Sequence, residues 1–352
     1  METVIVSIFL IVALLTLFEK YLKQYRLPIY ILIGVALVLT AGLREVGIDP
    51  DSMNYEYSFL HWEDMTIAEV EYSYILISQL LSNFSRDVHS LFIVYALLGV
   101  GIKLFAITKY SNMWFLPLMV YVSYYFPTHE CMQIRTGVLS AIMLLEIVSV
   151  SKGEKVKAAI LIAIGFFFHM SALVLIPTLF LKNNEFTKKQ LVKWGAVIPA
   201  AYLLYFMGFS LLLNLPFDIP GISDKLEAYK VGTERGLVES SINVFSPFLL
   251  FTIMLFYLLL IFNKTITKHN KYYPILMKYF AIGLFSYVAF AFLPVLAERL
   301  NMLFQAVTIL LYASLYYIIK PRWAGLLLVI LICLINMNYA FGNLGMVLFW
   351  KV

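Results

Sequence analysis

Residues 156–181, VKAAILIAIGFFFHMSALVLIPTLFL, decide how the rest of the chain is threaded. This long apolar stretch follows Lys152 and Lys155, has Lys157 at its start, and precedes Lys182, Lys188, Lys189 and Lys193. Basic loops of a helical membrane protein stay on the cytoplasmic side. If 156–181 crossed once, every later loop would carry the wrong charge for its side; if it enters and returns, the charges agree. The expectation is a hairpin of two short helices, with Gly165 and His169 near its middle and Pro177 in the second arm. A single tilted crossing with one badly oriented loop is the alternative. A broken helix at membrane depth is tolerated only where it is buried in protein or lines a wet cavity, so the turn near His169 is a candidate cavity wall.

Outward from that stretch the composition agrees: 62% of residues are apolar, only 13% are charged, and the mean hydropathy is +0.86. These values exclude an ordinary soluble domain. A crossing needs about 20 apolar residues for a ~30 Å core. Candidate segments run over 2–18, 27–43, 88–108, 111–127, 132–150, 191–213, 244–262, 273–293, 298–319 and 322–341. The first has Glu2 but no basic start and no small-residue cleavage site, so it reads as a retained helix. With the hairpin counted, the fold class is all-α: one polytopic transmembrane domain over 1–352 with about 11–12 segments and both termini outside. Cys131 and Cys333 lie in or beside apolar segments with no metal-site or disulfide spacing, and are read as packing residues.

Charge orients the segments. The linkers carrying Lys20, Lys23 and Arg26, then Lys103 and Lys109, the two clusters already named, Lys264 to Lys278, and Lys320 with Arg322 hold 18 of the 26 basic residues. They are expected inside. The loop 44–87 and the loop 214–243 are acidic and are expected outside. Within the first, residues 64–84 read as a half-apolar helix beginning after Asp64 and lying in the interface. The net charge of +5 is spread through short loops, so it is no nucleic-acid signal. No phosphate-cradling glycine loop, zinc-peptidase motif or nucleophile elbow occurs.

Five of the seven arginines fall on the outer side, whereas 16 of the 18 inner cations are lysine. Topology requires only positive charge inside; arginine is the better fork for phosphate. Arg44, Arg135 and Arg299 sit at or inside the ends of apolar segments. Gly47 and Pro50 mark a turn that would hold Arg44 close to Asp49, ahead of Tyr55; an ordinary acidic loop with a capping arginine is the plain account. Arg135 lies just inside an apolar run opened by Thr128-His129-Glu130-Cys131-Met132-Gln133, where it needs either a carboxylate or a bound anion. Glu130 is one possible partner. His169, at the required turn, has a side chain suited to proton transfer, although a lone histidine is more often a core residue. Glu298 beside Arg299 reads equally as an adjacent ion pair.

These residues resemble those of the EpsG-like and Wzy-type polysaccharide polymerases of bacterial O-antigen, capsule and exopolysaccharide synthesis. The likeness rests on LREVGIDPDSMNY at 43–55, QIRTGVLSAI at 133–142, FFFHMSALVLIP at 166–177 and ERLNMLF at 298–304. It departs at Pro50-Asp51, where the family often has a threonine. The resemblance implies a GT-C type architecture and an inverting membrane glycosyltransferase. Such an enzyme joins undecaprenyl-pyrophosphate-linked repeat units on the outer face of the bacterial inner membrane. Donor and acceptor are both lipid-linked oligosaccharides, with a chain-length regulator and a flippase as possible partners. Arg44, Arg135 and Arg299 would hold the pyrophosphate, His169 or Asp49 would take the acceptor proton, and Gln133 and Tyr55 would hold sugar or phosphate oxygens. No cofactor or metal is required where arginines carry the charge. A lipid-linked oligosaccharide flippase or an O-antigen ligase would use a similar cluster.

Overall fold

A computed structural model describes residues 1–66, 70–207 and 242–343, and these contain helices and loops with no strand. The loop expected over 214–243 lies outside the described residues apart from its last two positions. The chain divides into two compact units, the first comprising 1–184, 264–276 and 306–352, the second 185–263 and 277–305.

The first unit begins with α1 (Glu2–Phe18) and α2 (Arg26–Gly42), then a short α3 (Ser52–Leu60) and α4 (Tyr72–Ser82), then the long α5 (His89–Tyr110). A short α6 (Phe115–Val120) runs directly into a π-helix (Tyr121–Glu130), followed by α7 (Ile134–Ser151), α8 (Lys155–Phe168) and a 3-10 helix (Met170–Phe180). Every residue from 115 to 131 is buried. The α6 and π-helix rod is thus the axis of this unit, wrapped by α1, α5 and α7 and by the C-terminal helices. Tyrosine hydroxyls fasten the wrapping, because each buried hydroxyl needs a partner. Tyr30 donates to the Leu104 carbonyl (3.1 Å) and Tyr110 to that of Leu144 (2.5 Å), while Tyr125 pairs with Thr308 (2.8 Å).

The hairpin is present. Lys155 at the start of α8 lies 5.0 Å from the ring of Phe180 at the end of the 3-10 helix, so the two arms run side by side and return. The single-crossing alternative is excluded. His169 is the hinge, extended at φ −158° and ψ 130° between the two helices. The second arm differs from expectation in being 3-10 and not α, with Pro177 inside it and unable to donate an i to i−4 bond.

In the second unit, α9 (Lys188–Gly195) opens on a capping box between Thr187 and Gln190, and α10 (Val197–Met207) follows. Tyr257 on α11 (Pro247–Ile261) donates to the Gly195 carbonyl at 2.8 Å. The chain passes through the first unit over 264–276, in a short α12 (Asn263–Thr267) and the start of α13 (Tyr273–Ala289); back in the second unit, α13 approaches α14 (Pro294–Gln305) at Gly283, where an added Cβ would meet Phe304 at 2.9 Å. The chain finishes in the first unit with α15 (Thr308–Ser314) and α16 (Arg322–Asn343).

Over the described residues the apolar windows coincide with these helices, the end of 191–213 lying outside them, and the chain is a multi-pass membrane protein. Among the described residues three helices, α5, α7 and α16, are long and apolar enough to cross alone, with α14 and α15 together as a fourth. Five further apolar helices among the described residues have 11–17 residues. The 11–12 segments expected therefore include several that fall short of a full-length span. Three local corrections follow from packing. Lys103 is not in a cytoplasmic linker: it is wholly buried within α5. The helix expected from Asp64 begins at Tyr72, after a 3-10 turn at Trp62–Asp64. Residues 121–130, expected as the end of the 111–127 segment and the start of the next helix, form one π-helix around Pro127.

Candidate functional site

Four of the helices, α3, α4, α5 and α8, bring their ends to one end of the first unit. Between them stands a column of rings: Phe92 packs on Tyr55 at 6.4 Å, Tyr55 on Tyr74 at 6.1 Å, Tyr74 on Tyr95 at 6.3 Å, and Tyr95 on Phe168 at 6.3 Å. Two charged groups pack against this column, one at Phe92 and the other at Tyr55 and Tyr74.

In the first, Arg44 Nε donates to Asp49 Oδ2 at 3.1 Å and Nη1 donates to the Ala41 carbonyl at 2.7 Å. The guanidinium lies 3.8 Å from the centre of the Phe92 ring. Asp49 is shared: its Oδ1 accepts from the Ser52 and Asp51 amides at 2.9 and 3.1 Å, which starts α3. Gly47 makes the turn possible with φ 89°, a left-handed value that disfavours side chains. The turn closes as its amide donates to Ser52 Oγ at 2.8 Å. Both side chains of the pair are fully enclosed. Arg44 and Asp49 meet as the sequence suggested and pin the loop, with the enclosed Arg44 Nη2 left without a hydrogen-bond partner among the described residues.

In the second, Arg135 at the first turn of α7 forms an ion pair with Glu71, the residue just before α4. Glu130, the possible partner offered by the sequence, pairs with Lys103 instead. His169 Nε2 lies 3.7 Å from the second oxygen of Glu71. The Ser171 amide donates to His169 Nδ1 at 3.1 Å, so the neutral ring carries its proton on Nε2, toward Glu71. Tyr55 and Tyr74 place their rings 5.7 and 5.9 Å from the Arg135 guanidinium. Burial pushes the Tyr55 phenol up to about 12, with Arg135 pulling the other way, so it stays protonated at neutral pH. The Arg135, Glu71 and His169 side chains keep 22%, 16% and 9% of their exposure, so solvent reaches this group.

Gln133 caps α7 two residues before Arg135, and its buried Oε1 has no hydrogen-bond partner among the described residues. Arg299 lies in the second unit, exposed on α14. Of the residues proposed from sequence, the structure thus gathers Arg44, Asp49, Tyr55, Arg135 and His169 around one aromatic column, with Gln133 at its edge. Glu71 was not singled out. Its signal was indirect: an arginine just inside an apolar run requires an anion, and Glu71 lies within the 64–84 stretch where an interfacial helix was expected.

Glu130 is engaged elsewhere. Its Oε1 accepts from Lys103 Nζ and from the Tyr121 hydroxyl, both at 2.7 Å, and Lys103 also donates to the Gly137 carbonyl at 2.7 Å. The carboxylate occupies a hollow between Gly99 and Gly137, where an added Cβ at either glycine would collide with Oε2. This pair locks α5, the π-helix and α7 together directly beneath the turn that presents Gln133 and Arg135.

Comparison with known proteins gives the following. Residues 27–346 match the EpsG family. The chain is similar to the amylovoran biosynthesis protein AmsC of Erwinia amylovora, 24% identical over 303 residues that cover 81% of this chain and 78% of the relative. No solved structure matches it.

Proposed function

The chain belongs to the EpsG family, and from that premise we propose that it is a membrane glycosyltransferase of polysaccharide biosynthesis. In this reading it joins undecaprenyl-pyrophosphate-linked oligosaccharide repeat units at the outer face of the bacterial inner membrane and releases undecaprenyl pyrophosphate. The part that AmsC has in amylovoran biosynthesis is in keeping with it. The observation that carries the mechanism is the solvent-reachable cluster of Arg135, Glu71 and His169.

The reaction needs a cation for the departing pyrophosphate and a base for the attacking hydroxyl. Without substrate, Glu71 occupies the Arg135 fork. An incoming pyrophosphate is a stronger bidentate acceptor and displaces it. The freed carboxylate, faced by His169, then accepts the hydroxyl proton of the acceptor sugar. The new glycosidic C–O bond forms as the anomeric carbon to phosphate bond breaks, and the electron pair leaves with the pyrophosphate held by Arg135. Glu71 is a better base in this arrangement than His169, because His169 Nδ1 is occupied by the Ser171 amide and Nε2 carries the proton. His169 orients Glu71 and stabilises its charge. Asp49 is too enclosed for the base role, and Arg44 and Asp49 together hold Tyr55 in place through the start of α3. The proposal rests on first-unit residues and does not use Arg299.

The test is purified protein with synthetic undecaprenyl-pyrophosphate repeat units. A ladder of longer lipid-linked glycans on a gel is expected, and Arg135→Ala or Glu71→Gln should erase it. No ladder, with intact lipid-linked units crossing liposomes instead, would make the chain a transporter.

A further inference from the structure

The lysine-rich end of the first unit holds a pocket of about 460 Å³ that the proposed reaction does not use. It is formed where the chain leaves α1, where it enters α6 and where it enters α16. Four cations line it, Lys20, Lys23, Arg26 and Arg322, against one carboxylate, Glu19. That carboxylate is 4% exposed and faces inward, accepting from the amides of Trp114 and Phe115 and so capping α6. It lies 3.8 Å from Arg26, at the edge of salt-bridge range.

The two arginines are held in position. Arg26 donates through Nη1 to the Asn112 carbonyl at 2.6 Å and stacks 3.8 Å over the Trp114 ring. Arg322 donates through Nη1 to the Tyr317 carbonyl at 2.9 Å, with Tyr316 at 3.3 Å. Each guanidinium keeps its remaining N–H groups for an anion. Lys20 and Lys23 are exposed at the mouth.

Apolar surface leads away from this cationic pocket. On α1 the exposed side chains Leu17, Leu14 and Leu10 recur at helical spacing, and on α16 so do Trp323, Leu327 and Leu331. Leu17 and Trp323 line the pocket itself. A soluble anion would meet only the cations, whereas a molecule with a phosphate joined to hydrocarbon chains would meet both surfaces. We propose that this pocket binds the phosphate headgroup of an anionic phospholipid of the surrounding leaflet, with its acyl chains against the exposed leucines of α1 and α16.

The experiment is native mass spectrometry of the full chain released from detergent after incubation with phosphatidylglycerol, phosphatidylcholine or inorganic phosphate. Phosphatidylglycerol should be retained and phosphatidylcholine lost. The double variant Lys20→Gln with Lys23→Gln changes only exposed side chains, so folding is preserved, and it should lower retention about tenfold or more. Arg322→Gln should lower it further. Lys152→Gln with Lys157→Gln, in a different basic loop, should leave it unchanged. Equal retention of the two lipids, or retention unaffected by the Lys20 and Lys23 changes, overturns the proposal. So does binding of inorganic phosphate without binding of lipid, which would make the pocket a site for a soluble anion.

Discussion

Arg44 with Asp49 and Arg135 with Glu71 are the same chemical pair set against different rings of one aromatic column, and they differ in access. The first has neither side chain exposed, and Asp49 is also tied to two backbone amides. The second keeps part of both side chains in reach of solvent and has a histidine beside the carboxylate. An enclosed arginine–carboxylate pair fixes a loop; a partly open one can exchange its carboxylate for another anion. Residue type alone marks both as candidates, and enclosure separates them.

The largest effect expected from this contrast is on activity. Arg135→Ala should lower polymer formation by about 100-fold or more while leaving the amount of membrane protein unchanged. Arg44→Ala should do the reverse. It strands Asp49 in an enclosed site, costing about 3–5 kcal/mol, and the protein level and melting temperature should fall together with any activity. If both variants keep normal levels and lose activity equally, Arg44 is a ligand and not a clamp. Glu71→Gln sharpens the second pair: about 100-fold loss of turnover is expected, together with tighter binding of pyrophosphate, because the competitor for Arg135 has lost its charge. Isothermal titration with pyrophosphate reads the binding half, and weaker binding would reject the displacement step. Tyr55→Phe removes only a hydroxyl on the column between the pairs, and a loss of no more than about tenfold in rate is expected.

The smallest effect concerns the edge of the first pair. His89 bridges the Arg44 carbonyl at 3.0 Å and Asp87 at 2.6 Å. The His89 amide, and then its ring, hold the exposed Asp87 carboxyl below its ordinary range. A carboxyl lowered in the folded state adds stability above its unfolded value and loses it as pH falls through the folded one. A slight drop in melting temperature below about pH 4 is therefore expected, and Asp87→Asn should flatten that slope without changing the neutral value.

Much of this arrangement was legible in the chain. Apolar windows marked α1, α2, α5 and α7 to within a few residues, because helix length and hydrophobic thickness set the same scale. The hairpin followed from charge parity across 156–181. Lys103 escaped because the charge rule counts sign and not depth: its partner Glu130 is 27 residues away, and only the packed structure sets it beside α5. Glu71 escaped for a related reason, its partner Arg135 being 64 residues on. The π-helix left no trace but Pro127, since a wider turn has no hydropathy period of its own over so short a run.

The hollow that receives Glu130 ties four positions into one inheritance. Gly99 and Gly137 are vacant of side chain because the carboxylate fills the space, and Lys103 neutralises it. An alanine at either glycine is admissible only after residue 130 has become smaller, and a smaller residue 130 leaves Lys103 without its counter-charge. A mutational route that changes one position at a time passes through either a collision at a glycine or a buried Lys103 without its counter-charge. Descendants of this sequence are expected to carry the quartet whole or to have replaced it whole.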